Sequence, residues 1–275
     1  MSKTAVINAL VLKVTDCGEN DRLISLLSIE KGRISVIAKG GRSVRYKYLP
    51  SVQLFTYSTF ELYERNGMYW IKDALVNTYF PRLCDSIESV ALASYLSDLA
   101  YELSDENESG GEILRLLLNS FYMISESAKP HGIIKAVFEL RAVCYSGYMP
   151  ELSACDECHK ENCELYYVDI MNGRLLCPEC FSGSSADKPC NAHDDVRDYV
   201  NALGERNTYI PVSLGVINTA RYILSADPKR IFAFRLDSEK DSYDLSRFAE
   251  IYATWHLGRG FATLDFYKTL KSGSI

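Results

Sequence analysis

Four cysteines constrain this chain more than anything else in it. They form two pairs, Cys155-x-x-Cys158 and Cys177-x-x-Cys180, with the eighteen residues His159 to Leu176 between them. A Cys-x-x-Cys knuckle presents two sulfurs from one tight turn, and two knuckles roughly 15–20 residues apart can close one site. Four thiolates about 2.3 Å from the metal suit a structural Zn2+ and leave no open position for a catalytic water. Between the knuckles, Leu165 to Ile170 reads as a strand, Asn172-Gly173 is a type I′ turn signal, and Leu175-Leu176 lead back. So short a hairpin has little core, and one zinc per chain would supply much of its folding free energy. Cys163 is near enough in sequence to replace one of the ligands, whereas His159 reads as a solvated loop residue. Cys17, Cys84, Cys144 and Cys190 are single and scattered, and read as small buried apolar residues.

Disulfides are the competing use of nine cysteines. Met1-Ser2-Lys3-Thr4 runs straight into a strand-like stretch without a secretory signal pattern. No apolar run has the length of a membrane span. The expectation is a cytoplasmic protein whose thiols stay reduced. A thioredoxin-type motif would occur once, beside a βαβ pattern, and the His-x-Glu of the zinc deaminases is missing.

The 275 residues allow two or three domains. The net charge of −6 is unevenly spread, with +4 in residues 1–80 and −10 in the remainder. Such asymmetry suits one half that meets a polyanion and another that does not.

Residues 1–80 read as β. Ala5 to Leu12 is a strand apolar on both faces, and Asp16 to Asp21 is a turn cluster. Arg22–Ile29, Arg33–Ala38, Leu54–Tyr63 and Met68–Val76 complete five short strands, with Asn66-Gly67 as a hairpin turn. Five curved antiparallel strands in this length suit an OB-fold barrel. After Pro81 the period becomes helical. Asp85 and Glu88 resemble a capping box, opening a helix through Leu99. Further helices are expected over Glu112–Ser125, Ile133–Tyr145, Asp194–Leu203, Val212–Ser225 and Leu245–Leu257, with a polar linker over Ser182–Asn191. The fold class is therefore α+β: an N-terminal five-stranded OB-fold barrel (1–80), then an α-helical bundle (81–275) with a four-cysteine zinc ribbon (151–184) inserted.

The loop Lys39-Gly40-Gly41-Arg42-Ser43-Val44-Arg45-Tyr46-Lys47-Tyr48 carries four cations and no acid. Its cations suit phosphates, and Tyr46 and Tyr48 suit stacking on unpaired bases. The alternative is a solvated, mobile loop. It is not a Walker loop, because Gly-x-x-x-x-Gly-Lys-Ser/Thr is absent. Enzymatic constellations are missing. His131, His159, His193 and His256 sit in no nucleophile motif, Asp194 is more simply a helix cap than a metal ligand, and Asp237 with Glu239 reads as a solvated pair.

Three segments carry a family resemblance. Gly18-Glu19-Asn20-Asp21-Arg22-Leu23, Lys31 to Gly40 and Leu257 to Phe266 resemble those of the bacterial RecO recombination mediators, as does the order of barrel, helices and cysteine module. Ala262-Thr263-Leu264 departs from the family's Lys-Ser-Leu type sequence. Some relatives lack the cysteines, which implies a structural zinc. The resemblance implies a non-enzymatic protein of DNA repair and homologous recombination. Such a protein binds single- and double-stranded DNA and anneals complementary strands. It acts with RecR to help load RecA onto DNA coated with single-strand-binding protein, in the cytoplasm at the nucleoid. Carried over by position, Lys39, Arg42, Arg45 and Lys47 contact DNA. Arg22 either joins them or holds the barrel through Asp21 or Glu19. The competing class is a zinc-ribbon adaptor or transcription-associated protein, which would not anneal strands.

Overall fold

The computed structural model describes residues 4–106, 108–183, 209–236 and 238–272. The helix expected at 194–203, the linker beyond Gly183, Cys190, His193 and Asp237 lie outside these residues. The chain divides into two compact units, residues 1–128 with 261–275 and residues 129–260.

The first unit is built on a closed barrel of β1 (Thr4–Cys17), β2 (Asp21–Ser28), β3 (Gly32–Ala38), β4 (Tyr57–Arg65) and β5 (Met68–Thr78), in the order β1-β2-β3-β5-β4. All pairings are antiparallel except β3 with β5. This is the OB-type barrel read from the sequence. Period-2 alternation explains the interior, where Ile7, Ala9, Val11, Ile24, Leu26, Val36, Phe60 and Leu62 form one core. β1 is apolar on both faces because its outer residues Leu10 and Leu12 are also buried, and helix α1 packs on this strand. A bulge between Val11 and Lys13 lets β1 curve from β4 onto β2. The β4–β5 turn has φ +53° at Asn66 and +75° at Gly67, as a type I′ turn demands.

Against the barrel lie α1 (Ile87–Glu102) and α2 (Gly111–Ser125). The cap of α1 is Ser86, whose Oγ accepts from Ser89 N at 3.0 Å, and not Asp85. One residue of slippage puts the shorter hydroxyl in bonding position. Gly110 permits the approach of α2: a Cβ there would meet Ser28 O at 2.7 Å.

The second unit contains α3 (His131–Tyr145), a sheet of β6 (Leu165–Asp169), β7 (Arg174–Leu176) and β8 (Tyr209–Ser213) in the order β7-β6-β8, the short α4 (Pro178–Gly183), then α5 (Leu214–Ser225) and α6 (Glu239–Leu257). α7 (Ala262–Ser272) belongs to the first unit and packs on α1. β8 and α7 are absent from the sequence reading. α3 and α6 are tied by Lys135, fully buried between Glu139 (3.0 Å) and Glu250 (2.8 Å). Burial opposes its charge, yet the two carboxylates hold its pKa above the ordinary lysine value.

Cys17 and Cys84 are exposed and Cys144 half-buried, so these three are not the buried apolar residues expected. Cys17 ends a strand at the barrel rim, and Cys84 lies in the turn before α1, where its neighbour Leu83 takes the buried position. Among the described residues no helix is long and apolar enough to cross a membrane.

Candidate nucleic-acid interface and metal centre

The four knuckle cysteines converge. Their sulfurs all lie within 4.8 Å of one another, with Cys158 and Cys177 3.7 Å apart. Four sulfurs bound tetrahedrally at about 2.3 Å stand about 3.8 Å apart, so this donor set fits a structural metal ion. The backbone shapes the first knuckle: His159 N donates to Cys155 O, Cys155 N donates to Lys160 O, and His159 adopts φ +58°. Asp156 N donates to Leu175 O, which ties this knuckle to β7. Burial disfavours a thiolate at Cys155, but the N–H groups of Cys158, Cys177 and Glu157 overcome it and bring the pKa to about 6. Cys163 is buried outside the cluster, its N–H donating to Tyr166 Oη at 3.2 Å. His159 is exposed.

The hairpin between the knuckles turns differently from the expected two-residue Asn172-Gly173 turn. Residues 170–173 make a longer loop around Asp169, whose carboxylate accepts from Met171 N, Asn172 N and Asn172 Nδ2. Only Gly173 has positive φ there, and Gly173 N donates to Asp169 O at 2.8 Å. A longer loop gives Asp169 two more backbone donors than a tight turn would offer.

The basic loop is a chain of tight turns: Ser43 N donates to Gly40 O, Tyr46 N to Ser43 O, and Leu49 N to Tyr46 O. It is moored to the β1–β2 turn. Asp21 Oδ1 accepts from Gly40 N at 2.7 Å, Arg42 N donates to Asn20 O, and Arg42 Nη1 donates to Gly18 O. Gly41 lies so close to Ala38 that a Cβ would meet its carbonyl oxygen at 2.9 Å. Thus the two segments that carry the family resemblance in this region hold each other.

The five cations expected at DNA differ in their commitments. Lys39 and Arg45 are exposed, and neither side chain has a hydrogen-bond or ion-pair partner among the described residues. Arg22 and Arg42 share one carboxylate, with Nε of each at 3.3 and 3.4 Å from Asp16. The partner of Arg22 is thus Asp16, where Asp21 or Glu19 was expected. Lys47 lies over the Tyr48 ring and bonds its hydroxyl at 3.1 Å, which together with Asp73 raises its pKa.

Tyr46 and Tyr48 behave differently from the expected stacking pair. Both pack against the barrel core, edge to face with each other at 5.6 Å. Burial pushes the Tyr46 phenol up to about 12. The sequence reading also passed over Tyr63 and Trp70, whose rings stack on the outer barrel wall. Their signal was the outward phase of the β4 and β5 alternation.

The family model "Recombination protein O N terminal" matches residues 1–80, and "Recombination protein O C terminal" matches residues 84–194. The chain belongs to the RecO family. It is 28% identical to the DNA repair protein RecO of Acetivibrio thermocellus over 96% of both chains. It is 28% identical to that of Dehalococcoides mccartyi over 84% of this chain and 82% of the relative. For Caldicellulosiruptor saccharolyticus the identity is 23% over 95% of this chain and 97% of the relative. Its function is that of a DNA-repair and recombination mediator of the RecO type, a non-catalytic role.

Proposed function

We propose that the protein binds single- and double-stranded DNA through the basic loop of its barrel and anneals complementary strands there. With RecR it helps to load RecA onto DNA coated with single-strand-binding protein, in the cytoplasm at the nucleoid. In this reading residues 1–80 are the DNA-binding domain. Residues 81–275 carry the protein contacts, and the module at 151–184 is stapled by one structural Zn2+. The four-sulfur donor set favours zinc among the available divalent ions.

The observation that carries the reading is the loop itself. It is held in position by Asp21 and Asn20, and it presents Lys39 and Arg45 without side-chain partners among the described residues. A preformed cationic loop neutralises phosphates without ordering cost and leaves base edges free to pair. The −10 charge outside the barrel repels DNA and suits protein partners.

The test is the salt dependence of oligonucleotide binding. Substituting Lys39→Ala and Arg45→Ala together should weaken binding and flatten the log K against log salt slope by about one unit per lost contact. An unchanged slope overturns the loop assignment.

A further inference from the structure

In the loop, Tyr46 and Tyr48 form one half-buried aromatic pair, edge to face against the barrel core. The outer wall of the barrel supplies another. Ile24, Val36, Leu62 and Ile71 point into the barrel. Their immediate neighbours Leu23, Ile37, Tyr63 and Trp70 therefore face outward. Strand register places these four in one row: Leu23 opposite Ile37, Ile37 beside Trp70 across the parallel pair, and Trp70 opposite Tyr63. All four are half-buried, neither sunk in the core nor fully solvated. The Tyr63 and Trp70 rings are 19° from parallel with centroids 6.4 Å apart. Trp70 Nε1 is shielded from solvent and has no hydrogen-bond partner among the described residues.

Cations border the row. Lys39 follows Ile37 by two residues, and Lys72, the bulged residue of β5, follows Trp70 by two; both are exposed. Lys72 is held by Glu61 at 2.6 Å, whereas Lys39 has no partner among the described residues. Two acids share this border, Asp21 bound to Gly40 N and Glu61 bound to Lys72, which leaves Lys39 as its uncommitted charge among the described residues. An apolar, partly aromatic strip beside a free cation matches a single nucleic-acid strand, whose base faces are apolar and whose backbone is anionic. Four strands spaced about 4.8 Å apart make a row about 14 Å long. Sheet platforms of this kind stack two or three bases. A duplex hides its base faces and can use only the cations.

We infer that the row Leu23–Ile37–Trp70–Tyr63 is the stacking subsite for unpaired bases, and that it lets this protein distinguish single strands from duplex. The inference rests on the reading of the barrel as the DNA-binding unit, and its readout is separate from that of the loop. Stacking releases no counterions, so it changes affinity without changing the salt slope.

The experiment measures binding of an oligothymidine and of a duplex of equal length to Trp70→Ala, Tyr63→Ala and Trp70→Phe proteins. Trp70→Ala should weaken oligothymidine binding roughly 5- to 100-fold, the loss of one stacked base. Its salt slope should be unchanged and its duplex affinity within about two-fold of the unsubstituted protein, and Trp70→Phe should recover most of the loss. Equal loss on both ligands, or loss on neither, overturns the inference. A direct measurement guards against a folding defect. In the Trp255→Phe protein, which keeps Trp70 as its single tryptophan, saturating oligothymidine should quench the emission and saturating duplex should not. Equal quenching by both, or by neither, overturns the inference. If the loop variants leave both ligands bound with unchanged slope, it is the basic-loop reading that fails.

Discussion

Asp16 holds two arginines at once, one carboxylate oxygen to Arg22 and the other to Arg42. A phosphodiester presents the same pair of oxygens, so in the proposed DNA-binding reading the Asp16 carboxylate is a competitor for both guanidiniums. The side chain is about half exposed, and each pair is therefore worth no more than ~1 kcal/mol. Asp16→Asn should leave folding intact and tighten single-strand binding about three- to ten-fold, read by titration at fixed salt. Glu19→Gln makes the same charge change in the same turn, without a guanidinium contact, and should do distinctly less. Equal effects would reduce Asp16 to a bulk charge. None of this is legible in sequence, because Asp16 and Arg42 are brought together only by the β1–β2 turn and the mooring of the loop. Lys39 and Arg45 were legible as cations. Their freedom from partners was not.

The elements show where sequence patterns carry structural information. Strands β3 and β4 were readable because one face of each is buried, which imposes alternation, and β1 because it is apolar on both faces. β8 was not. Tyr209-Ile210-Pro211-Val212-Ser213 is short, contains a proline, and runs directly into α5, whose cap is Ser213 itself. Proline is tolerated because β8 lies at the sheet edge, where no ladder needs its missing N–H. The four cysteines were readable because knuckle spacing is local chemistry, while the exclusion of Cys163 required the fold. β8 also enlarges what the metal supports: the stapled hairpin is part of a three-stranded sheet, with Leu165 to Asp169 paired to Tyr209 to Ser213. Chelation should therefore speed amide exchange throughout β6, β7 and β8, while Ile24 and Val36 in the barrel stay protected. Exchange read by mass spectrometry checks this, and an unperturbed β6 would argue against a metal staple.

At the scale of the whole molecule, the net charge is +4 over residues 1–80 and −10 over the remainder. Two DNA strands held on a cationic surface lose part of their mutual repulsion, so annealing needs no nucleoside triphosphate. The protein should accelerate pairing of complementary oligonucleotides at low salt, lose that effect steeply as salt rises, and be slowed by the Lys39→Ala, Arg45→Ala pair. A fluorescence-quench annealing assay measures all three. Absence of acceleration would favour an adaptor that binds DNA without pairing it.

The placement of α7 carries a consequence for how the molecule is made. Phe261 sets its ring against Tyr95 at 5.6 Å, and Thr263 donates to Asp98 at 2.8 Å, so α7 completes the surface of α1. The whole of residues 129–260 is synthesised between the two helices. At roughly 5–20 residues per second, α1 leaves the ribosome roughly ten to thirty seconds before its partner. Through that interval the apolar side of α1 that α7 will cover faces solvent, a substrate for a holding chaperone. Changes in Phe261 should therefore show as lost yield on expression before they show as lost DNA binding.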